Sequence, residues 1–228
     1  MSTFKQDVAE EYVKRRYERW RRMAVPFAYK HTKSQRLAQI LERTGGLTKT
    51  ALELGVGPGG IARPLSRLGV GVVGMDLSWD ALVRAKDHCK SDDVALLRGS
   101  GFALPFQDRS FPLVYASQVL HLFDNDGRLL LMKEAHRVLQ PGGRFVFDMK
   151  NVTTHPWRYL SSSPERKRDN FPSRGRIRSL LGDAGFQDVW TLPGVFPLVG
   201  AANLPNLALL RATAHTTFFV AKKRPLAR

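Results

Sequence analysis

The chain has 228 residues, 43% hydrophobic and 25% charged, with 36 Lys/Arg against 20 Asp/Glu for a formal net charge of +16. That length suits one domain with additions and buries a sizeable core, and a single cysteine, Cys89, excludes an internal disulfide framework. No run of 18 uninterrupted apolar residues occurs and the first residues lack the apolar centre of a signal peptide, so the expectation is a cytoplasmic protein with no transmembrane segment.

Residues from about Phe4 to Ala24 read as an amphipathic helix, with Val8, Tyr12, Val13, Tyr17 and Trp20 at helical spacing and six Lys/Arg between Lys14 and Arg22 on the other faces. Pro26 ends it. A second helix is expected from about His31 to Arg43, stopped by Gly45-Gly46. Residues 1–47 thus form an N-terminal helical cap or lid.

From residue 48 the pattern alternates. Ala51 to Leu54 is a buried strand that runs into Gly55-Val56-Gly57-Pro58-Gly59-Gly60, and a helix follows from about Ile61 to Leu68. Val70 to Met75 is a second strand closed by Asp76; Asp80 to Lys90 is helical; Val94 to Arg98 is a third strand. Leu113 to Ala116, extending towards Val119, is a fourth. Gly127 to Leu139 is a helix, and Pro141-Gly142-Gly143 turns into a fifth strand, Arg144 to Asp148. This alternation predicts an α/β fold with a doubly wound, mostly parallel Rossmann-like sheet and helices on both faces.

Beyond Lys150 the rhythm changes. Residues 151–173 read as a loop, Arg174 to Ala184 as a short helix, Phe186 to Leu192 and Thr216 to Ala221 as strands. Between them, Leu192 to Leu210 is apolar but broken by Pro193, Pro197 and Pro205. The segment 151–215 is therefore expected to supply loops and substrate-side insertions to a domain spanning 48–228.

Gly55, Gly57 and Gly60 satisfy a G-x-G-x-x-G spacing, and Asp76 follows Gly55 by 21 residues, as a carboxylate that accepts ribose hydroxyls would. Glycine lets the backbone turn tightly and lets a ligand approach it, and the next helix aims its N-terminal amides at the turn. Glu53 decides between cofactors. Its charge repels a dinucleotide pyrophosphate and favours a ligand with a cationic sulfonium and an ammonium group. The strand–helix alternation also stops after the fifth strand, which leaves the second half of a dinucleotide fold short.

The later motifs occur in an order that points to one family. They include Leu52-Glu53-Leu54-Gly55-Val56-Gly57-Pro58-Gly59, Gly74-Met75-Asp76-Leu77-Ser78, Leu104-Pro105-Phe106 before Ser110-Phe111, Leu120-His121-Leu122-Phe123, and Glu134 to Gly143. Over about residues 48–190 the chain resembles class I S-adenosylmethionine-dependent methyltransferases, in the small-molecule, methyltransferase type 11-like branch with a seven-stranded sheet. The resemblance implies S-adenosyl-L-methionine as cofactor. Glu53 and Gly55 would hold its methionine part, Gly57 would admit the close approach, and Asp76 would take the ribose with Leu77 against the adenine. Ser100, Gly101 and Phe102 would surround the adenine, and Ser117 would lie near the methionine amino group. Ser100 departs from the family's usual aspartate and offers an uncharged acceptor; Pro112 replaces another usual aspartate.

A methyl transfer of this kind needs alignment and exclusion of water, and a general base where the acceptor carries a proton of high pKa. His121, just past the fourth strand, is the catalytic base candidate. Tyr12, Tyr17, Tyr29 and His31 are candidates to bind substrate from the cap. Asp124, Asn125 and Asp126 read as a helix cap, not a metal site. The expected acceptor is a small or lipid-like molecule, with an anionic one suited by the basic flanks: residues 1–50 hold 12 Lys/Arg against 5 Asp/Glu, and residues 151–228 hold 12 against 4. The same flanks leave open an RNA methyltransferase and peripheral contact with an anionic membrane. A non-catalytic S-adenosylmethionine-binding protein and a nicotinamide dehydrogenase are the remaining alternatives.

Overall fold

The computed structural model describes residues 27–150, 172–193 and 216–225. Helix α1 (Phe27–Arg43) leads to β1 (Thr50–Leu54), α2 (Ala62–Ser66), β2 (Gly71–Asp76), α3 (Trp79–His88), β3 (Val94–Arg98) and β4 (Phe111–Ala116). A 3-10 turn (Leu120–Leu122) precedes α4 (Asn125–Val138), β5 (Leu139–Lys150), α5 (Arg174–Asp183), β6 (Gln187–Pro193) and β7 (Thr216–Lys222). The expected cap helix at Phe4–Ala24, with Tyr12 and Tyr17, lies outside the described residues, as do 151–171 and 194–215.

The strands form one seven-stranded sheet in the order β3-β2-β1-β4-β5-β7-β6. The first five are mutually parallel, and β7 runs antiparallel to both of its neighbours. Two apolar layers explain the near-continuous hydrophobic runs of the inner strands, since a strand covered on both sides has no polar face. Leu37, Ile40 and Leu41 of α1 pack with Leu65 of α2 and Leu82 of α3 against Ala51, Val72, Leu113, Tyr115 and Val146. On the other face, Leu131, Met132 and Ala135 of α4 and Ile177, Leu180 and Leu181 of α5 meet Leu52, Leu54, Val114, Phe145, Phe147 and Phe219.

Local chemistry sets the helix starts. Ser78 Oγ accepts from Ala81 N at 3.3 Å, Ser173 Oγ from Arg176 N at 3.2 Å, and Asp124 Oδ1 from Gly127 N at 2.8 Å, each satisfying an amide the helix leaves open. Asp124 is thus the cap that the sequence indicated. Two boundaries differ from expectation. The strand β4 stops at Ala116, and Val119 lies beyond it, next to the 3-10 turn. Strand β5 begins earlier than Arg144, at Leu139: Gly142 takes φ +77 inside it, and the register with β4 shifts between Phe111 and Leu113. The Pro141-Gly142-Gly143 turn is absorbed as an irregularity in the strand.

Three buried or half-buried cations join distant segments by donating to helix-end and strand-end carbonyls. Arg144 on β5 donates to Leu41 O (3.2 Å) in the last turn of α1 and to Gly46 O (2.6 Å) beyond it. Lys223 Nζ donates to His136 O (2.7 Å) and Leu139 O (2.8 Å) at the end of α4. Arg36 on α1 donates through Nε and Nη2 to Pro193 O, both at 3.0 Å. Positive charge at a helix C-terminus also meets the negative end of its dipole.

Candidate functional site

The order of the sheet places the chain's reversal between β1 and β4: β2 and β3 build outward on one side of β1, and β4 returns on the other. Ligands of open α/β sheets bind at the strand C-termini at such a point. A cleft of about 150 Å³ lies there.

Its floor is the turn after β1. Gly55 takes φ +71 and Gly57 φ +53, conformations that burden any side chain bearing a Cβ. The amides of Gly55 and Val56 both donate to Met75 O, at 2.8 and 3.0 Å, so the turn is pinned to the end of β2. A Cβ on Gly57 would meet no atom within 4 Å, whereas one on Gly55 would strike the Val119 side chain. The first glycine is needed for close packing and the second leaves an open backbone face.

Asp76 closes β2 and lines the cleft. Its Oδ2 accepts from Gly57 N at 2.8 Å and its Oδ1 from Ser78 N at 2.9 Å. Burial raises its pKa, and the amides of Ser78, Gly57 and Leu77 oppose that rise by stabilising the carboxylate. One side chain therefore orders the glycine turn and the start of α3, and each oxygen retains a second lone pair for a ligand hydroxyl.

Leu77, Gly99, Ser100, Gly101 and Phe102 form one wall, and Ser117, Gln118, Val119, Leu122 and Phe123 form the opposite one. The Phe102 and Phe123 rings meet edge to face, with centroids 4.9 Å apart. Ser100 is buried, and its Oγ accepts from Phe102 N at 3.3 Å. The departure from aspartate thus leaves a hydroxyl that shapes the turn around Phe102. The adjoining Leu104-Pro105-Phe106 segment is held by α4: Glu134 Oε2 accepts from Leu104 N at 2.7 Å, while Arg137 donates to Leu104 O and Phe106 O. Arg137 also pairs with Asp108 and with Glu134, and its hydrogen bonds lower the Glu134 pKa.

Of the residues expected at a cofactor, Gly55, Asp76, Leu77, Ser100, Gly101, Phe102 and Ser117 line this cleft, and Gly57 adjoins it through Asp76. Glu53 does not line it. It is 2% exposed, and its Oε2 accepts from Tyr115 Oη at 2.8 Å on the α1–α3 side of the sheet. Burial is the main cause that pushes its pKa up to about 8, with the charge of Asp76 adding to the rise and the Tyr115 and Ala62 bonds opposing it. The expectation of an acid facing a cation across the turn is replaced by a carboxyl behind the turn, near its titration point at neutral pH.

His121 is fully buried in the 3-10 turn, and it is its neighbours Val119, Leu122 and Phe123 that line the cleft. That turn is anchored by Arg128, itself fully buried, whose Nε donates to Leu120 O at 3.0 Å. Tyr29 and His31 fall within the first turns of α1. Among the described residues, no group of three or more His, Cys, Asp or Glu is placed to hold a metal ion, and no helix is long and apolar enough to cross a membrane.

Sequence reasoning missed Gln118, Val119, Leu122 and Phe123 as wall residues. The signal was present in the polar pair Ser117-Gln118 directly after a buried strand, but the expected strand extension to Val119 concealed the turn.

Residues 52–147, from β1 to β5 and so enclosing the whole cleft, match the methyltransferase domain family. That matched stretch is a methyltransferase domain of the class I S-adenosylmethionine-dependent type. The methyltransferase is 28% identical over 205 residues to the demethylmenaquinone methyltransferase of Chlorobaculum tepidum, covering 78% of this chain and 77% of that one. It is 26% identical over 194 residues to the sterol 24-C-methyltransferase ERG6 of Saccharomyces cerevisiae, covering 72% of this chain and only 49% of the yeast protein. Among solved structures, a Thermotoga maritima S-adenosylmethionine-dependent methyltransferase, described as a possible histamine N-methyltransferase, superposes with a TM-score of 0.69 at 21% identity. That match covers 94% of this chain and 97% of the other, and it shows a shared fold. The cleft fits the family's cofactor: a turn with an open glycine face, a carboxylate beside it and an aromatic and aliphatic wall.

Proposed function

We propose that this methyltransferase transfers a methyl group from S-adenosylmethionine to a small-molecule or lipid-like acceptor. The observation that carries the reading is the assembly of Gly55, Asp76, Leu77, Phe102 and Ser117 around one cleft at the strand C-termini. The acceptor class is supported by relatives named for a demethylated quinone and a sterol.

When bound, S-adenosylmethionine supplies an activated methyl group on a sulfonium. The chain's own residues then bind and align. Asp76 accepts the ribose hydroxyls while its other lone pairs keep the Gly57 and Ser78 amides in place. Leu77 and Phe102 enclose the adenine, and Ser100 steadies the turn that carries Phe102. Gly55 lets the turn pack against Val119 beside the methionine part, and Gly57 leaves the open backbone face. Ser117 and the turn after it face the methionine end. Glu53 acts from behind by fixing the start of α2 and the end of β4, through Ala62 and Tyr115. His121 holds the shape of the wall formed by Val119 and Leu122, and the chemistry asks for no base at its buried position unless the acceptor must lose a proton.

A cytoplasmic location accords with this reading, since Cys89 is a free, buried thiol. The test is release of S-adenosylhomocysteine from labelled S-adenosylmethionine with a panel of prenylated quinols, sterols and phosphorylated small molecules, run beside total RNA and with and without anionic vesicles. Turnover with a member of the small-molecule panel supports the proposal. Turnover with RNA alone, lost steeply between 50 and 200 mM salt as phosphate binding requires, assigns the basic flanks to nucleic acid and overturns it.

A further inference from the structure

Gln118 takes φ +61, a region that residues bearing a side chain rarely occupy without compensation. It does so in the cleft wall, two residues past the end of β4. The compensation comes from Asp148, thirty residues away near the end of β5. The pairing of Ala116 with Phe147 puts Asp148 one step further along, level with the chain as it leaves β4.

Asp148 is fully buried. A carboxylate in such a place is costly unless its oxygens are hydrogen-bonded. Both are: Oδ1 accepts from Gln118 N at 2.8 Å, and Oδ2 accepts from Gln118 Nε2 at 2.6 Å. Two charge-assisted bonds to one residue fix both its backbone and its carboxamide. The next residue completes the link, because the Val119 side chain fills the space where Gly55 would carry a Cβ. Asp148, Gln118, Val119 and Gly55 thus form one continuous connection from the fifth strand, across the fourth, to the glycine turn of the first.

We propose that Asp148 is a positioning residue for the methyltransferase: by clamping Gln118 in its left-handed conformation it holds the Ser117–Val119 turn against Gly55, so that both sides of the methionine end of the cleft are shaped before the cofactor enters. The assignment does not depend on the acceptor, and it is tested with S-adenosylmethionine alone. Preorganisation of this kind spares a ligand the ordering of its own site.

The experiment is calorimetric titration of the full chain with S-adenosylmethionine, with thermal melts of the ligand-free protein in parallel. D148A removes both acceptors and weakens binding by about tenfold or more, the scale of lost hydrogen bonds to a charged group. D148N restores the clamp: its Oδ1 accepts the Gln118 amide, and its Nδ2 donates to Gln118 Oε1 once that carboxamide turns over. Its Kd stays within about threefold of the parent, the scale of exchanging charged for neutral bonds. Q118G adopts φ +61 without strain and keeps the backbone bond, so it falls between the two.

A residue that merely supported the fold would lower the melting temperature and leave the Kd of the folded protein unmoved. Binding by D148A at parental affinity overturns the proposal, and so does a D148N variant as weak as D148A, because a charge effect would then replace the clamp. Should D148A fail to fold, the remaining pair decides: D148N near the parent with Q118G weaker sustains the proposal, and Q118G equal to the parent ends it. Loss of methyl transfer to every acceptor, with these affinities ordered as stated, would touch the acceptor reading and leave the clamp standing.

Discussion

The two halves of the sheet are held together by different means. In the glycine turn between β1 and β2 the polar contacts are short in sequence and made largely by the backbone: Gly55 and Val56 donate to Met75 O, and Asp76 reaches back 19 residues to Gly57. Beyond β4 the contacts are long. Arg144 reaches 103 residues back to Leu41, Arg36 reaches 157 forward to Pro193, and Lys223 reaches 87 back to His136. The first half makes a site out of a local motif. The second half makes a frame out of cations that satisfy carbonyls at element ends, where buried polar groups left open cost most. Binding and stability should therefore separate when the two halves are perturbed.

The sharpest break of that contrast is Gly55→Val. A side chain at φ +71 is strained and would collide with Val119, so S-adenosylmethionine affinity in calorimetry drops on the order of a hundredfold or more. Asp76→Ala comes next. It removes the acceptor for two amides and for the ribose, and the same measurement should show a loss of about tenfold to a hundredfold. In the other half, Arg144→Met keeps an apolar stem but removes the guanidinium donor from Gly46 O and from Leu41 O, which keeps its backbone amide donors. Melting temperature falls by roughly 4–10 °C, while the S-adenosylmethionine Kd stays where it was. A parallel fall in affinity would erase the distinction between site and frame.

The smallest effect sharpens the boundary between the halves, where Glu53 meets Tyr115. Its folded pKa of about 8 stands above the ordinary 4.5, so the native state holds a proton that the unfolded chain releases. Stability from this group is fully present below about pH 4.5 and is lost as pH rises through about 8. Glu53→Gln removes that dependence. Melts of the variant and the parent should diverge in the variant's favour between pH 6 and 9, by roughly 2–4 °C for each kcal/mol gained. Identical pH slopes would place the Glu53 carboxyl in a more hydrated setting than its 2% exposure indicates.

The site half was legible in the sequence because its information is local. Glycine spacing, the acid at the end of β2 and the order of strands and helices pointed to Gly55 and Asp76, and the family resemblance added Leu77 and Phe102 to the same cleft. The sequence also predicted a doubly wound, mostly parallel sheet, and the antiparallel β7 between β5 and β6 refined it. Glu53 was read as facing a ligand because it neighbours the turn, but strand alternation carries it to the opposite side from Leu54. The direction of a side chain one residue before a turn depends on the pleat, and proximity in sequence does not reveal it. The pairing of Gln118 with Asp148 and the carbonyl bonds of Arg36, Arg144 and Lys223 join residues with no periodic or motif relation. Those links exist only after the sheet has closed.

One consequence concerns the order in which the protein leaves the ribosome. β7 sits between β5 and β6 although it follows both of them in the sequence, and it brings Lys223 to the end of α4. Until residues 216–223 emerge, β5 presents an open, hydrophobic edge and β6 lacks the one strand it pairs with among the described residues. Premature termination before Thr216 therefore yields a nascent polypeptide exposed to intermolecular strand addition and dependent on chaperones, even though its entire cofactor cleft has already been translated.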